Sequence, residues 1–385
     1  MTSFSHFFPP TAPCVMMKPV ASWLFRTLRK NRGLFRPISA LALRNATLDY
    51  WYRTCVEKLR YQDVTNVHDL PPIFHYWSNK YLLPKFQEFG FRDPDSFFVK
   101  YLHEAALGSG REEARFASIG SGNGDTEIRI ALALRQLGLE HFSIHCIDLN
   151  PAMLRRCAEM AKQNGLEQHI IAEEADFNHW QPQHDYDAIM ANQSLHHVTR
   201  LEGLFDAVKE ALTPTGVFVI SDMIGRNGHQ RWPEALAIVE AFWSELPQNY
   251  RRNRLTGELE DVFINRDCSV EGFEGIRAQD ILPLLIERFS FDLFLGFSNV
   301  ISPFIDRCFG PNFSLDNEWD RAFIDRVHAR DESELLSGNL KPTQMVAVVR
   351  KGQGKEAFYK DMRPEACVRH PASLPLAKPS AKGAE

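Results

Sequence analysis

The chain has 385 residues, a formal net charge of −5, 44% apolar residues and 24% charged ones. That balance builds a substantial buried core, and the slight acidity argues against a general nucleic-acid binder. No apolar run has the length of a membrane span. The seven cysteines (Cys14, Cys55, Cys146, Cys157, Cys268, Cys308 and Cys367) include no C-x-x-C pair. They suggest neither a disulfide framework nor a zinc site, and a reducing cytoplasm is the simplest setting.

Residues 1–39 are basic and carry no acid. Lys18, Arg26, Arg29, Lys30, Arg32 and Arg36 lie among Trp23, Leu24, Phe25, Leu28, Leu34 and Phe35. They read as a flexible leader. The competing reading is a peripheral contact with an anionic membrane surface. Residues 40–110 read as a helical, aromatic cap. A helical pattern runs from about Ala40 to Leu59, followed by the aromatic stretch Phe74–Tyr81 and by Phe86, Phe89, Phe91, Phe97, Phe98 and Tyr101. Such a cap covers a sheet. Tyr76, Trp77 and Tyr101 could also approach a cation through their ring faces.

The most informative stretch is Phe116–Asp125 followed by Asp148. An apolar run ends in a loop with Gly120, Gly122 and Gly124 at alternate positions. A helical stretch, Thr126–Leu137, and a second apolar run, Phe142–Ile147, come next. This is the strand, turn, helix and strand of a nucleotide-binding α/β unit. Glycine lets the backbone turn sharply and approach a ligand closely. The spacing is G-x-G-x-G rather than the dinucleotide G-x-G-x-x-G, and no GK[ST] follows, so a P-loop is excluded. Asp148-Leu149-Asn150-Pro151 closes the second strand.

Further elements follow in chain order. Ile170–Ala175 leads into Asp176-Phe177, and Tyr186–Asn192 reads as a strand followed by Gln193-Ser194-Leu195-His196-His197. Gly216–Ser221 reads as the fifth strand, after a Pro/Gly turn. Residues 223–276 form a long insertion, with a helix over Trp232–Leu246. Helices are expected over Ala278–Phe289 and Glu318–Leu336, and strands over Phe291–Phe297 and Met345–Val349. Residues 352–385, rich in Pro, Ala, Lys and Ser, read as a disordered tail.

This succession resembles the class I S-adenosylmethionine (SAM)-dependent methyltransferases, closely over Phe116–Asp222 and more loosely to Lys351. The resemblance implies a doubly wound, seven-stranded, mostly parallel sheet over residues 111–351, with the N-terminal helical cap and the insertion after strand five acting as a substrate-selecting lid. It implies SAM as cofactor. Gly120, Ser121, Gly122 and Gly124 would shape the methionine end, and Asp148, with Leu149, would hold the ribose. Asp176 would meet the adenine amino group with Phe177 beside the ring, and Asn192 would pass under the methionine. Ser118 stands where the family motif usually has an acid.

His197, ahead of His196, is the candidate general base for an acceptor that must lose a proton. The resemblance excludes several substrates. The (D/N/S)-P-P-(Y/F) motif of amino-methylating nucleic-acid enzymes is absent. No cysteine lies between Cys157 and Cys268 to serve a cytosine C5 mechanism. The metal-binding acids of catechol-type enzymes are not in order. The expectation is a metal-free transfer to O, N, S or activated C of a small or medium-sized molecule, without nucleic acid. The alternatives are a SAM-binding regulatory protein without catalysis, a membrane-peripheral enzyme acting on a lipid-linked acceptor, and a nicotinamide-dependent reductase.

Overall fold

A computed structural model describes residues 46–61, 70–270 and 272–370. The chain divides into two units, 1–57 and 58–385. The basic segment 1–39 lies outside the described residues. Of the first unit the structure describes helix α1 (Ala46–Tyr61), which runs across the boundary. Asp49 in its first turn accepts a hydrogen bond from Arg53 Nε at 2.8 Å, one turn on.

The second unit opens with α2 (Pro72–Trp77), a π-helical turn (Ser78–Leu82) and α3 (Leu83–Glu88). Helix α4 (Pro94–Ser109) starts in a capping box, with Asp93 accepting from the Ser96 amide at 2.6 Å, and stops at Gly110 in the left-handed conformation. These signals satisfy orphan backbone groups at both helix ends. Then follow β1 (Ala114–Ile119), α5 (Asp125–Gln136), β2 (Phe142–Asp148), α6 (Pro151–Gln163) and β3 (Ile170–Glu174). Next come β4 (Tyr186–Asn192), α7 (Leu201–Ala211), β5 (Leu212–Met223), α8 (Pro233–Glu245) and α9 (Ala278–Arg288). The chain continues through β6 (Ser290–Phe297), α10 (Glu318–Leu336), β7 (Gln344–Arg350) and β8 (Ala357–Phe358).

The strands form one sheet in the order β3-β2-β1-β4-β5-β7-β6-β8. Strands β1 to β5 pair in parallel, and β7 is antiparallel to both neighbours. The order reverses at β1, which lies between β2 and β4. Ligands of open α/β sheets bind at such a switch point, beyond the carboxyl ends of the strands.

Strict alternation divides the core in two. Phe116, Ile144, Cys146, Ala188, Met190, Val217, Val219, Val346 and Val348 face α4, α5, α6, α8 and α10. Ala117, Ile119, Ile147, Ile189, Ala191, Phe218, Ile220, Met345, Ala347 and Val349 face α7 and α9. Both faces are covered, which is why these strands are apolar at nearly every position.

Two expectations are corrected. The sheet has eight strands rather than seven, and the eighth lies in residues 352–370 of the stretch read as a disordered tail, whose remainder, 371–385, lies outside the described residues. Gly354 lets the chain pass tightly against β6, since a Cβ there would meet Phe291 O at 1.9 Å. Asp292 accepts from the Lys355 amide at 3.0 Å, and Cys367 is buried. Arg369 then reaches α8, donating to Glu234 at 2.7 Å over the Trp232 ring. A composition typical of linkers here describes a strap held by backbone pairing and ion pairs. The other correction concerns Leu212–Gly216, read as a turn, which extends β5 at a register shift opposite Tyr186 and Ala188.

Candidate active site

The loop after β1 is closed by backbone geometry. Gly120, Gly122 and Gly124 all have positive φ, at 71°, 58° and 77°. A Cβ on Gly120 would lie 2.5 Å from Ser194 Cβ, and one on Gly124 would lie 2.3 Å from Cys157 Sγ. Only glycine fits either position. The amides of Gly120 and Ser121 donate to Ile147 O at 2.8 and 3.2 Å, which fastens the loop to the end of β2. Gly124 is also the N-cap of α5, so that helix begins where the loop ends.

Asp148 ends β2 and is mostly buried. Its carboxylate accepts from the Gly122 amide at 2.9 Å and the Asn150 amide at 2.7 Å. Asn150 in turn caps α6 by accepting from Ala152 N at 3.0 Å. The carboxylate is therefore oriented before any ligand arrives. After β3, Asp176 accepts from the Asn178 amide at 3.0 Å and lies 3.0 Å from His179 Nδ1. Phe177 packs on the α7/α9 core. Buried Asn178 Oδ1 accepts from Thr199 N, Thr199 Oγ1 and Arg200 N at 2.8–3.0 Å, which ties this loop to the start of α7. A cleft of about 450 Å³ beside it is lined by Asn178, His179, Thr199 and Arg200, among others, and by none of the glycine-loop residues.

The loop after β4 is organised by a residue that sequence reading missed. Asp222, fully buried at the end of β5, accepts from the amides of Ser194, Leu195 and Met223 at 2.7–2.8 Å. It also holds His196 Nδ1 at 2.6 Å. Ser194 Oγ donates to Ile119 O at 2.6 Å, so the β1 and β4 loops touch. Gln193 adopts the left-handed region at φ 54°, the sharp turn that carries the chain from Asn192 into this loop.

The insertion folds back onto the same place. Ile276 N donates to His196 O at 3.0 Å. Glu274 Oε1 lies 2.8 Å from His229 Nε2 and 3.6 Å from His196 Nε2, and its other oxygen is 3.9 Å from His197 Nε2. Burial opposes charge on His196, but Asp222 and Glu274 override it and raise its pKa to about 10. Glu274 resists its own burial through His196 and His229, which hold its carboxyl well below the usual range. His229 is pushed down by burial.

The acid absent at position 118 arrives from another element. Ser118 Oγ donates to Glu127 Oε1 at 2.6 Å, and Glu127 is 2% exposed on α5. Its second oxygen has no hydrogen-bond partner among the described residues. The aromatic cap, in contrast, is spent on packing. Trp77 and Tyr101 are buried in the α4 core, Trp77 Nε1 donates to His328 Nδ1 at 3.2 Å, and Tyr76 donates to Asp325 on α10 at 2.9 Å.

Residues 112–261 match the protein family described as a methyltransferase domain. No curated protein matches the sequence. Solved structures similar to this chain include geranyl diphosphate C-methyltransferase from Streptomyces coelicolor A3(2), at 14% identity, 67% of this chain, 79% of that one and a TM-score of 0.38. A second is an O-methyltransferase from a trans-AT PKS multienzyme of Brevibacillus brevis, at 14% identity, 79% and 90% coverage and a TM-score of 0.38. A third is the cyclase SpnF, at 17% identity, 67% and 82% coverage and a TM-score of 0.38. Residues 112–261 thus match a methyltransferase domain, and they contain the glycine loop before the oriented Asp148.

Proposed function

We propose that the chain methylates an O, N, S or activated C atom of a small or medium-sized molecule, which enters between the β4 loop and the insertion. The observation that carries this reading is the glycine loop, sealed by Ser194, Met153 and Cys157 in front of Asp148. When bound, SAM supplies a methyl group already activated on a positive sulfur. The chain's task is then to hold the acceptor in line, which can lower a barrier by about 7–11 kcal/mol.

In this reading the backbone of Gly120, Ser121, Gly122 and Gly124 lies along the methionine end, and Asn192 passes beneath it. Asp148 and Leu149 take the ribose side, and Asp176 and Phe177 the adenine side. Glu127, behind the loop, supplies the carboxyl group that position 118 lacks. His197 is the candidate proton acceptor. His196, pinned by Asp222, orients the loop instead. The insertion selects the acceptor, since His229 and Glu274 reach the histidines from it. Among the described residues no helix is long and apolar enough to cross a membrane. A lipid-linked acceptor would reach the chain through the basic N-terminal segment.

Isothermal titration with SAM, S-adenosylhomocysteine and NADH tests the cofactor assignment. Micromolar binding of the two sulfur nucleotides and none of NADH is expected, and the reverse result would overturn it. An acceptor mixture should then yield S-adenosylhomocysteine. Binding without any turnover would favour a regulatory protein over an enzyme.

A further inference from the structure

The geometry points to a divalent transition-metal site formed by His196, His229 and Glu274. Each offers one donor atom, and the three atoms lie within 4.8 Å of one another. The Glu274 oxygen is 2.8 Å from His229 Nε2 and 3.6 Å from His196 Nε2. Donors sharing one ion at about 2.0–2.2 Å sit roughly 3–3.5 Å apart, so both Glu274 pairs are near that spacing.

The shell behind the ligands supports this site. A metal-binding histidine usually gives its other ring N–H to a carboxylate, which fixes the tautomer and the ring plane. His196 does so to Asp222 at 2.6 Å, and three backbone amides hold that carboxylate in place. The Nε2 of His196 is thereby directed toward Glu274. The ligands come from three segments: the β4 loop, the Asn227–His229 turn and the turn of the insertion that holds Glu274 and Gly275. Gly275 leaves room for the His229 ring, since a Cβ there would lie 2.9 Å from His229 Cε1.

Two imidazoles and one carboxylate suit zinc, cobalt(II), nickel(II) or iron(II). Magnesium and calcium favour all-oxygen shells. Three protein ligands also leave at least one coordination position open. His197 borders the cluster, with Nε2 3.9 Å from Glu274 Oε2. An ion here can polarise an acceptor oxygen and lower its hold on a proton. This inference concerns the same pocket as the methyl-transfer reading, but metal binding is measured without SAM. The two can therefore fail separately.

The test uses the full chain, stripped with chelator and dialysed, then titrated with cobalt(II) by visible absorption and with zinc against a chromophoric chelator. One ion per chain is expected at micromolar or tighter affinity. His229→Ala and Glu274→Gln should each weaken it about 100-fold or more, while Cys268→Ser should leave it unchanged. Titration of each variant with SAM, and its circular dichroism spectrum, establish that the fold is retained. Absence of stoichiometric uptake, equal uptake by His229→Ala and Glu274→Gln, or loss of uptake in Cys268→Ser would overturn the site. Normal metal uptake by a chain that binds no SAM would leave the site standing and sink the methyl-transfer reading.

Discussion

Replacing Glu127 by Gln should stabilise the protein in alkaline solution and do nothing in acid. The carboxyl is 2% exposed, and one of its oxygens meets only the Ser118 hydroxyl. Burial raises its pKa from an ordinary 4.5 to about 7. Ser118, the helix backbone and Arg129 work against that rise, and Asp125 adds to it. The folded state thus holds the proton more tightly than the unfolded chain. The stability tied to the neutral acid is complete below about pH 4.5 and is lost as pH rises through about 7. At 1.36 kcal/mol per pH unit, the loss amounts to about 3 kcal/mol. Glutamine cannot ionise, yet its carbonyl can still accept from Ser118. Urea unfolding of both proteins at a series of pH values should show equal stability near pH 4.5, with the variant ahead by about 3 kcal/mol at pH 8. Parallel stability curves between pH 5 and pH 8 would refute the reasoning, because they would mean that Glu127 is no harder to ionise in the fold than in the unfolded chain.

Asp148→Ala removes the acceptor oriented by Gly122 and Asn150. Each hydrogen bond to a charged group is worth about 1.5–3 kcal/mol, so calorimetry should show SAM binding weakened at least about tenfold. His197→Ala should lower kcat about 100-fold for an acceptor that must lose a proton, with KM for SAM retained. Steady-state kinetics check this, and unchanged kcat would remove His197 as the base. Ending the chain after Gly352 should lower the thermal midpoint in calorimetry, because buried Tyr359 and Cys367 and the Arg369–Glu234 pair go with it. An unchanged midpoint would return these residues to the status of a loose tail.

The central sheet was legible because strands buried on both faces must be apolar throughout, and Phe116–Ile119, Phe142–Ile147 and Tyr186–Ala191 are nearly so. The glycine loop was legible because three alternate glycines have few other uses. The rest of the site is assembled across distance. Asp222 lies 26 residues from His196, and Glu274 lies 45 from His229. No spacing rule connects them until the sheet and the insertion have folded. Ser118 and Glu127 are only nine residues apart, but they meet because a strand and the following helix pack together. The aromatic cap packs as its composition suggests: Trp77 and Tyr101 are in the core, and the cations over the Tyr76 and Tyr101 rings are the protein's own Lys80 and Lys100, at 5.1 and 5.7 Å. The tail misled by composition, since pairing with β6 asks only for a free backbone edge.

A single carboxylate at Asp222 is the common acceptor for amides on both sides of the β4/β5 pair and for an imidazole between them. Opening any one of those bonds leaves a buried charge short of a donor, so the bonds open together or not at all. In hydrogen exchange, the amides of Ser194, Leu195 and Met223 then form one cooperative unit, whose opening energy is set by the sheet beneath rather than by the loop that carries two of them.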